Sequence, residues 1–218
     1  PTKILKIGTF EYENIRSQRV LSAAETKIEF LIRYIPGLRS VDKNIIEELE
    51  TCFQKEKFSK GYRLLQQDKP NEYIYFIFSG ECRMLYNYNA NKKLKAKFDS
   101  LDESLPSLIL IGKIDTGGLF GQTSALKKTN CKYSVQVASD ELEVYKIPGS
   151  TFYENFGKDA GTPVKNLRAK AVMDNNWINT VIKRLTFKSI ESIMAEWEFV
   201  EKSHDPNAMR TVENESPF

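Results

Sequence analysis

The sequence predicts an α+β protein: an antiparallel, jelly-roll-like β-roll flanked by N- and C-terminal helices. Three observations predict it. Apolar residues recur at three- to four-residue steps towards both ends of the chain. The middle, about residues 57–147, switches to two-residue alternation in short runs rich in β-branched and aromatic side chains. Gly61, Asp68-Lys69-Pro70, Gly80 and Gly117-Gly118 punctuate those runs as turns. Helices, then many short strands, then helices is the pattern of a roll between helical layers.

The elements follow in order. Residues 10–34 read as helix through Ile15, Val20, Leu21, Ile28, Leu31 and Ile32. Pro36-Gly37 ends it, since proline disfavours helix at the residue before it. Asp42 is a good N-cap for a second helix with Ile45, Ile46, Leu49 and Phe53 on one face. YRLLQQ follows Gly61. EYIYFIFSG reads as a strand apolar on both faces, with Tyr73, Tyr75 and Ile77 opposite Ile74, Phe76 and Phe78. That suits a closed or sandwiched sheet. ECRMLYNY continues as its hairpin partner. Residues 89–107 are basic from Asn89 to Lys97 and acidic from Asp99 to Ser104, which reads as a long, solvated surface loop. SLILIGKI is a strand, LFGQTSALKK a short helix, and YSVQVAS and ELEVYKI a pair of strands joined near Asp140. Residues 148–156 read as a short helix. Residues 164–186 form a longer one, with Leu167, Ala171, Ile178, Val181, Ile182 and Leu185 on one side. Residues 189–202 form a last helix carrying Ile190, Ile193, Met194, Trp197 and Val200, and the final dozen residues read as a disordered tail. The expected organisation is an extension over 1–24, the roll with its helices over 25–186, and a helix and tail over 187–218.

Composition excludes several function classes. The 218 residues carry 32 basic and 29 acidic side chains, a net charge of +3, too mild to argue for nucleic acid or an anionic membrane. No apolar run approaches the roughly 20 residues that span a bilayer, and the start has no secretory h-region. Cys52, Cys82 and Cys131 are odd in number and widely spaced, which implies reduced thiols in an intracellular, cytoplasmic setting. The single histidine, His204, lies in a polar tail without neighbouring ligands, so neither a metal site nor a catalytic triad is expected, and the chain reads as a non-enzyme. Too few residues follow the long helix for a helix-turn-helix with a basic recognition helix. Beginning at Pro1 rather than Met, the chain reads as a piece of a longer protein.

The order FLIRYIPGLRSVDKNIIEEL, FSKGYRLLQQDKPNEYIYFIFSGECRML, GGLFGQTSAL and SVQVASDELEVYKIPGSTFYENF resembles the cyclic-nucleotide-binding domain family over roughly residues 25–186. The resemblance implies a cAMP- or cGMP-binding β-roll of regulatory type, with GGLFGQTSAL in the place of its phosphate-binding cassette. A cyclic phosphate needs backbone N–H groups at a helix start, a role for Gly121 and for Thr123, Ser124 and Ala125. It also takes a guanidinium, and the ribose takes a carboxylate. Here the family's glutamate is replaced by Gln122. No arginine lies between Arg83 and Arg168, and Lys132 is the nearest basic match. Lysine supplies a point charge without the fork, and glutamine accepts without charge assistance. Losing about 1 kcal/mol at each position weakens binding about 10- to 100-fold. Tyr133 stands where the family can place a hydroxyl that favours guanine, and Trp177 where an aromatic can cap the base. The implied function is therefore a regulatory or scaffold module, degenerate in ligand binding, that needs no cofactor. It engages protein partners through its flanking helices within a larger assembly, without nucleic acid or membrane insertion. The alternative is a working cAMP or cGMP sensor whose C-terminal helices move on binding.

Overall fold

The computed structural model describes residues 26–99, 107–157 and 162–200. The expected helix before residue 26, the acidic stretch 100–106, His204 and the tail lie outside them. Helix α1 (26–34) stops at Ile35-Pro36, and α2 (Lys43–Leu49) starts at Asp42, whose Oδ1 accepts from the Asn44 N–H at 2.8 Å. In α2 only Ile46 is buried; Ile45 is 45% exposed, so the expected four-residue face does not form. Phe53 is buried from beyond the short 3-10 turn Glu50–Cys52.

The roll starts at residue 54, three positions earlier than the periodicity suggests. Its strands are β1 (Gln54–Ser59), β2 (Arg63–Leu65), β3 (Tyr73–Ser79), β4 (Cys82–Asn87), β5 (Leu108–Ile114), β6 (Leu119–Phe120), β7 (Ser134–Val137), β8 (Glu141–Pro148) and β9 (Phe199–Val200). One antiparallel sheet has the order β1-β8-β3-β6, the other β2-β7-β4-β5-β9. Sequence reading pairs β3 with β4 and β7 with β8. Both pairs instead divide between the two sheets: β3 lies against β8 and β6, and β4 against β5 and β7. The chain crosses at Gly80, whose φ of +100° turns the backbone. A Cβ there would stand 2.7 Å from the Glu141 carbonyl oxygen. The alternation in β3 holds, with Ile74 and Phe76 in the core beneath α1 and Tyr75 and Ile77 inside the roll.

Helices α4 (Gln122–Lys127), α5 (Gly149–Phe156), α6 (Thr162–Phe187) and α7 (Ile190–Glu196) follow the expected positions. Residues 92–99 are not loop but helix α3 (Lys92–Asp99): Asn91 Oδ1 caps the Lys93 and Leu94 N–H groups, and Leu94 and Phe98, four residues apart, are both at most 1% exposed. The last helix ends at Trp197, where φ is extended. The chain then becomes β9 on the edge of β5, with the Glu198 carbonyl accepting from the Leu110 N–H at 2.9 Å.

These placements fix what α6 covers. Cys82 and Met84 alternate onto the same face of β4, the face turned into the roll. Cys82 packs with Ile77, Phe120, Val135 and Val137. Met84 and Tyr86, further along, pack with Ile109, Ile111 and the α6 side chains Ile178, Val181 and Leu185. Helix α6 therefore lies on the inward face of the second sheet, with α3 and α7 (through Ile193) beside it.

A candidate ligand site closed by helix α6

The cassette is built as the residue types demand. β6 ends at Phe120, stacked on Tyr75 with ring centroids 4.9 Å apart. Gly121 then takes a left-handed conformation (φ +82°) that a side chain disfavours, and a Cβ there would stand 2.5 Å from the Tyr73 carbonyl oxygen. Helix α4 starts directly after it. The Asn71 Nδ2 group donates to the Tyr73 carbonyl (2.7 Å), to Ser124 Oγ (3.1 Å) and to the Gly121 carbonyl (3.2 Å). Cys131 Sγ donates to Ser124 Oγ at 3.6 Å, and burial pushes this thiol up, opposed by that bond. The side chain of Asn71 thus staples three points of the turn.

Of the residues assigned from sequence, Gly121, Gln122, Thr123 and Ser124 assemble as the turn and first residues of α4. The Ala125 N–H donates to the Gly121 carbonyl at 3.0 Å, and its side chain packs in the helical core, where a Cβ on Gly149 would stand 2.8 Å from the Ala125 carbonyl oxygen. Lys132 is exposed and points to α6, its Nζ donating to Asn179 Oδ1 at 3.3 Å. Gln122 also turns to α6. It is 1% exposed, and its Nε2 donates to Asp174 Oδ2 at 2.6 Å, short and charge-assisted. The other Asp174 oxygen accepts from Lys170 at 3.3 Å. The carboxylate fixes the orientation of the amide, since only the NH2 end can donate to it. Gln122 Oε1 is then buried without a hydrogen-bond partner among the described residues. Tyr133 packs between the roll interior and the α6 cluster. Burial, joined by the negative charge of Asp174, pushes its phenol well above the ordinary range. Trp177 is 45% exposed; its ring edge lies 3.0 Å from where a Cβ on Gly112 of β5 would stand, a point 3.5 Å from Met84 Sδ.

Sequence reasoning missed Asp174, Asn179, Asn71 and Gly112. Asp174 carried a readable signal, as the only acidic residue in Thr162–Phe187. Among the described residues, no cluster of His, Cys, Asp and Glu is placed to hold a metal, and no helix is long and apolar enough to cross a membrane.

Two antiparallel sheets rolled around Phe120, a glycine-led turn into a short helix, and a long helix laid over the inward face define a β-roll with a helical cover. Residues 55–159 match the family described as the cyclic nucleotide-binding domain, and this part of the chain belongs to it. The fold is that of the regulatory subunit of a cAMP-independent protein kinase A from Trypanosoma cruzi bound to guanosine (19% identity, TM-score 0.55, covering 75% of this chain and 51% of that one). It is also that of the regulatory domain of Toxoplasma gondii PKA with cAMP (15%, 0.54, 72% and 52%). The Thermus thermophilus catabolite activator protein shares it as well (15%, 0.52, 70% and 63%). The chain spans about half the length of the two kinase regulatory structures. No curated protein matches the chain.

Proposed function

We propose that this is a regulatory module of the cyclic-nucleotide-binding class whose site is filled from within, so that it works as a protein-interaction scaffold rather than as a nucleotide sensor. One observation carries the reading: the two side chains that sequence assigns to ribose and phosphate, Gln122 and Lys132, are both engaged by α6, through Asp174 and Asn179. Helix α6 stands where a lid would close over ligand, and its own side chains pack on the inward face. The replacement of glutamate by Gln122 fits this arrangement. A glutamate would set two carboxylates at about the 2.6 Å now bridged by an N–H, in a site where the side chain is 1% exposed. Like charges so placed do not both stay ionised. Partners would meet the outer faces of the flanking helices, in an assembly larger than this chain. The free thiols of Cys52, Cys82 and Cys131 support an intracellular setting.

The retained turn at Gly121 favours the second reading, a cAMP or cGMP sensor that opens by lifting α6. Calorimetry separates the two. Expected is no heat with millimolar cAMP or cGMP for the natural chain. Gln122→Glu is expected to loosen α6, seen as faster amide exchange over 162–187, and Gln122→Glu with Asp174→Asn to restore the contact with donor and acceptor exchanged. Micromolar binding by the natural chain would establish the sensor instead.

A further inference from the structure

One face of α6 is turned away from the roll. Lys165, Ala169, Val172, Asn176, Thr180 and Lys183 follow one another at steps of three and four residues, and all are exposed. They form one stripe along the helix. Met173 beside it is 70% exposed and Val172 47%. Between the two lysines the stripe itself carries no charge; the exposed Arg168 borders it on the flank opposite Met173, with its guanidinium 5.1 Å from the Tyr153 ring centroid. The one carboxylate of α6, Asp174, is on the other side, held by Gln122 and Lys170. Lys165 and Lys183 are five turns apart, about 27 Å at 1.5 Å per residue.

We propose that this stripe is a docking surface for an amphipathic helix of a partner protein, apolar through its middle and acidic at both ends. The proposal rests on the reading of α6 as a fixed rather than a moving element, since only a fixed helix offers a standing surface. Charge complementarity selects the occupant. A second copy of α6 is disfavoured in either direction: parallel pairing sets Lys165 on Lys165 and Lys183 on Lys183, and antiparallel pairing sets Lys165 on Lys183. Like charges so opposed work against association. A helix with glutamates about five turns apart places a carboxylate on each lysine. Its apolar side chains then cover Ala169, Val172 and Met173, in the helix-in-groove manner. Asn176 and Thr180, in the C-terminal half of the stripe, suit a polar contact across two helices better than burial in lipid.

The test uses the full chain and a labelled synthetic helical peptide of about six turns. The peptide has leucines along one face and glutamates in its first and last turns; a control peptide carries lysines there instead. Expected is binding of the acidic-ended peptide alone, weakening with salt. Met173→Glu should reduce affinity at least tenfold, and Lys165→Glu with Lys183→Glu should switch preference to the lysine-ended peptide. Both variants change exposed positions, and circular dichroism checks their fold. Equal binding of both peptides, or of neither, overturns the proposal. So does concentration-dependent self-association abolished by Met173→Glu, which assigns the face to a second copy. Binding to phosphatidylserine vesicles in place of the peptide assigns it to a membrane. Protection of the Met173 methyl in the free chain assigns it to a segment of this chain. A cAMP titration on the same samples separates the failures: no nucleotide heat with no peptide binding removes the surface alone, whereas nucleotide heat removes the filled-site reading beneath it.

Discussion

The two ends of the roll interior are covered in different ways, although one strand face serves both. At Cys82 the face of β4 meets other strands: Ile77, Phe120, Val135, Val137, Leu142 and Val144 all pack there, and Phe58, Ile77 and Phe120 are at most 3% exposed. Two residues on, at Met84, the same face meets helix, with Ile178, Val181 and Leu185 from α6 and Leu94 and Phe98 from α3. The first end is closed by the roll's own strands. The second is closed by elements outside the roll. The first end thus draws its packing from the roll alone, and the second from α6 and α3.

The sharpest way to break this comparison is to damage the strand-covered end. Phe120 is fully buried and stacked on Tyr75. Phe120→Ala is expected to cost about 3–5 kcal/mol, lost burial plus a cavity. Chemical denaturation should show one cooperative transition at lower midpoint, with strands and α6 lost together. A variant that lost α6 but kept the strands would place the roll's stability elsewhere.

That end was also the more legible in sequence. The alternation of Tyr73, Tyr75 and Ile77 against Ile74, Phe76 and Phe78 states which side chains face in, because strand period and burial coincide. Glycines at turns carry their own local signal. Strand partnership was not legible: whether β3 runs into β4 as a hairpin or crosses between sheets is decided at Gly80 by the backbone at Glu141, 61 residues away. Helix α3 was hidden because Leu94 and Phe98 are two apolar residues among five charged ones in Lys92–Asp99. β9 was hidden because Trp197 and Val200 prolong a helical spacing, and the edge of β5 overrides it. At the cassette, the departures at Gln122 and Lys132 were visible but their cause was not. Their partners, Asp174 and Asn179, lie 52 and 47 residues further along the chain.

A smaller effect is expected from cutting the contact at the helix-covered end. Asp174→Ala leaves the buried Gln122 Nε2 without its acceptor, at about 1–3 kcal/mol. If the two ends are independent in the way described, the loss is local. Amide exchange should rise over α6 and α4 and stay unchanged over β3 and β8. Cys131, 5% exposed beside Ser124, should react faster with a thiol reagent, while Cys82, 0% exposed and with its thiol pushed up to about 12 by burial and the nearby Glu81, should stay inert. Cys131 and Cys82 belong to the same strand-covered cluster, so acceleration at Cys82 as well would mean that the opening passes from the cassette into the roll interior.

The smallest effect lies far from α6, on the outer edge of the first sheet. Glu143 of β8 pairs with Lys55 at 2.9 Å and Lys57 at 3.0 Å on β1. Burial raises its carboxyl, but the two lysines outweigh that and hold it below the ordinary glutamate range. The sign follows: a carboxyl with a depressed value when folded stabilises the fold above its unfolded value, and that contribution fades as pH falls through the folded value. Glu143→Gln should therefore cost about 0.5–1 kcal/mol at neutral pH, in keeping with a partly exposed pair. The gap between variant and natural chain should close below the ordinary glutamate range. Salt should narrow it at pH 7, because the pair is reached by solvent. Amide exchange in α6 should not change at any pH, since the ion partners of Glu143 among the described residues lie on β1. A shift in α6 on Glu143→Gln would mean that the first sheet and the lid are coupled through the roll, and the separation of the two ends would fail at its least perturbed point.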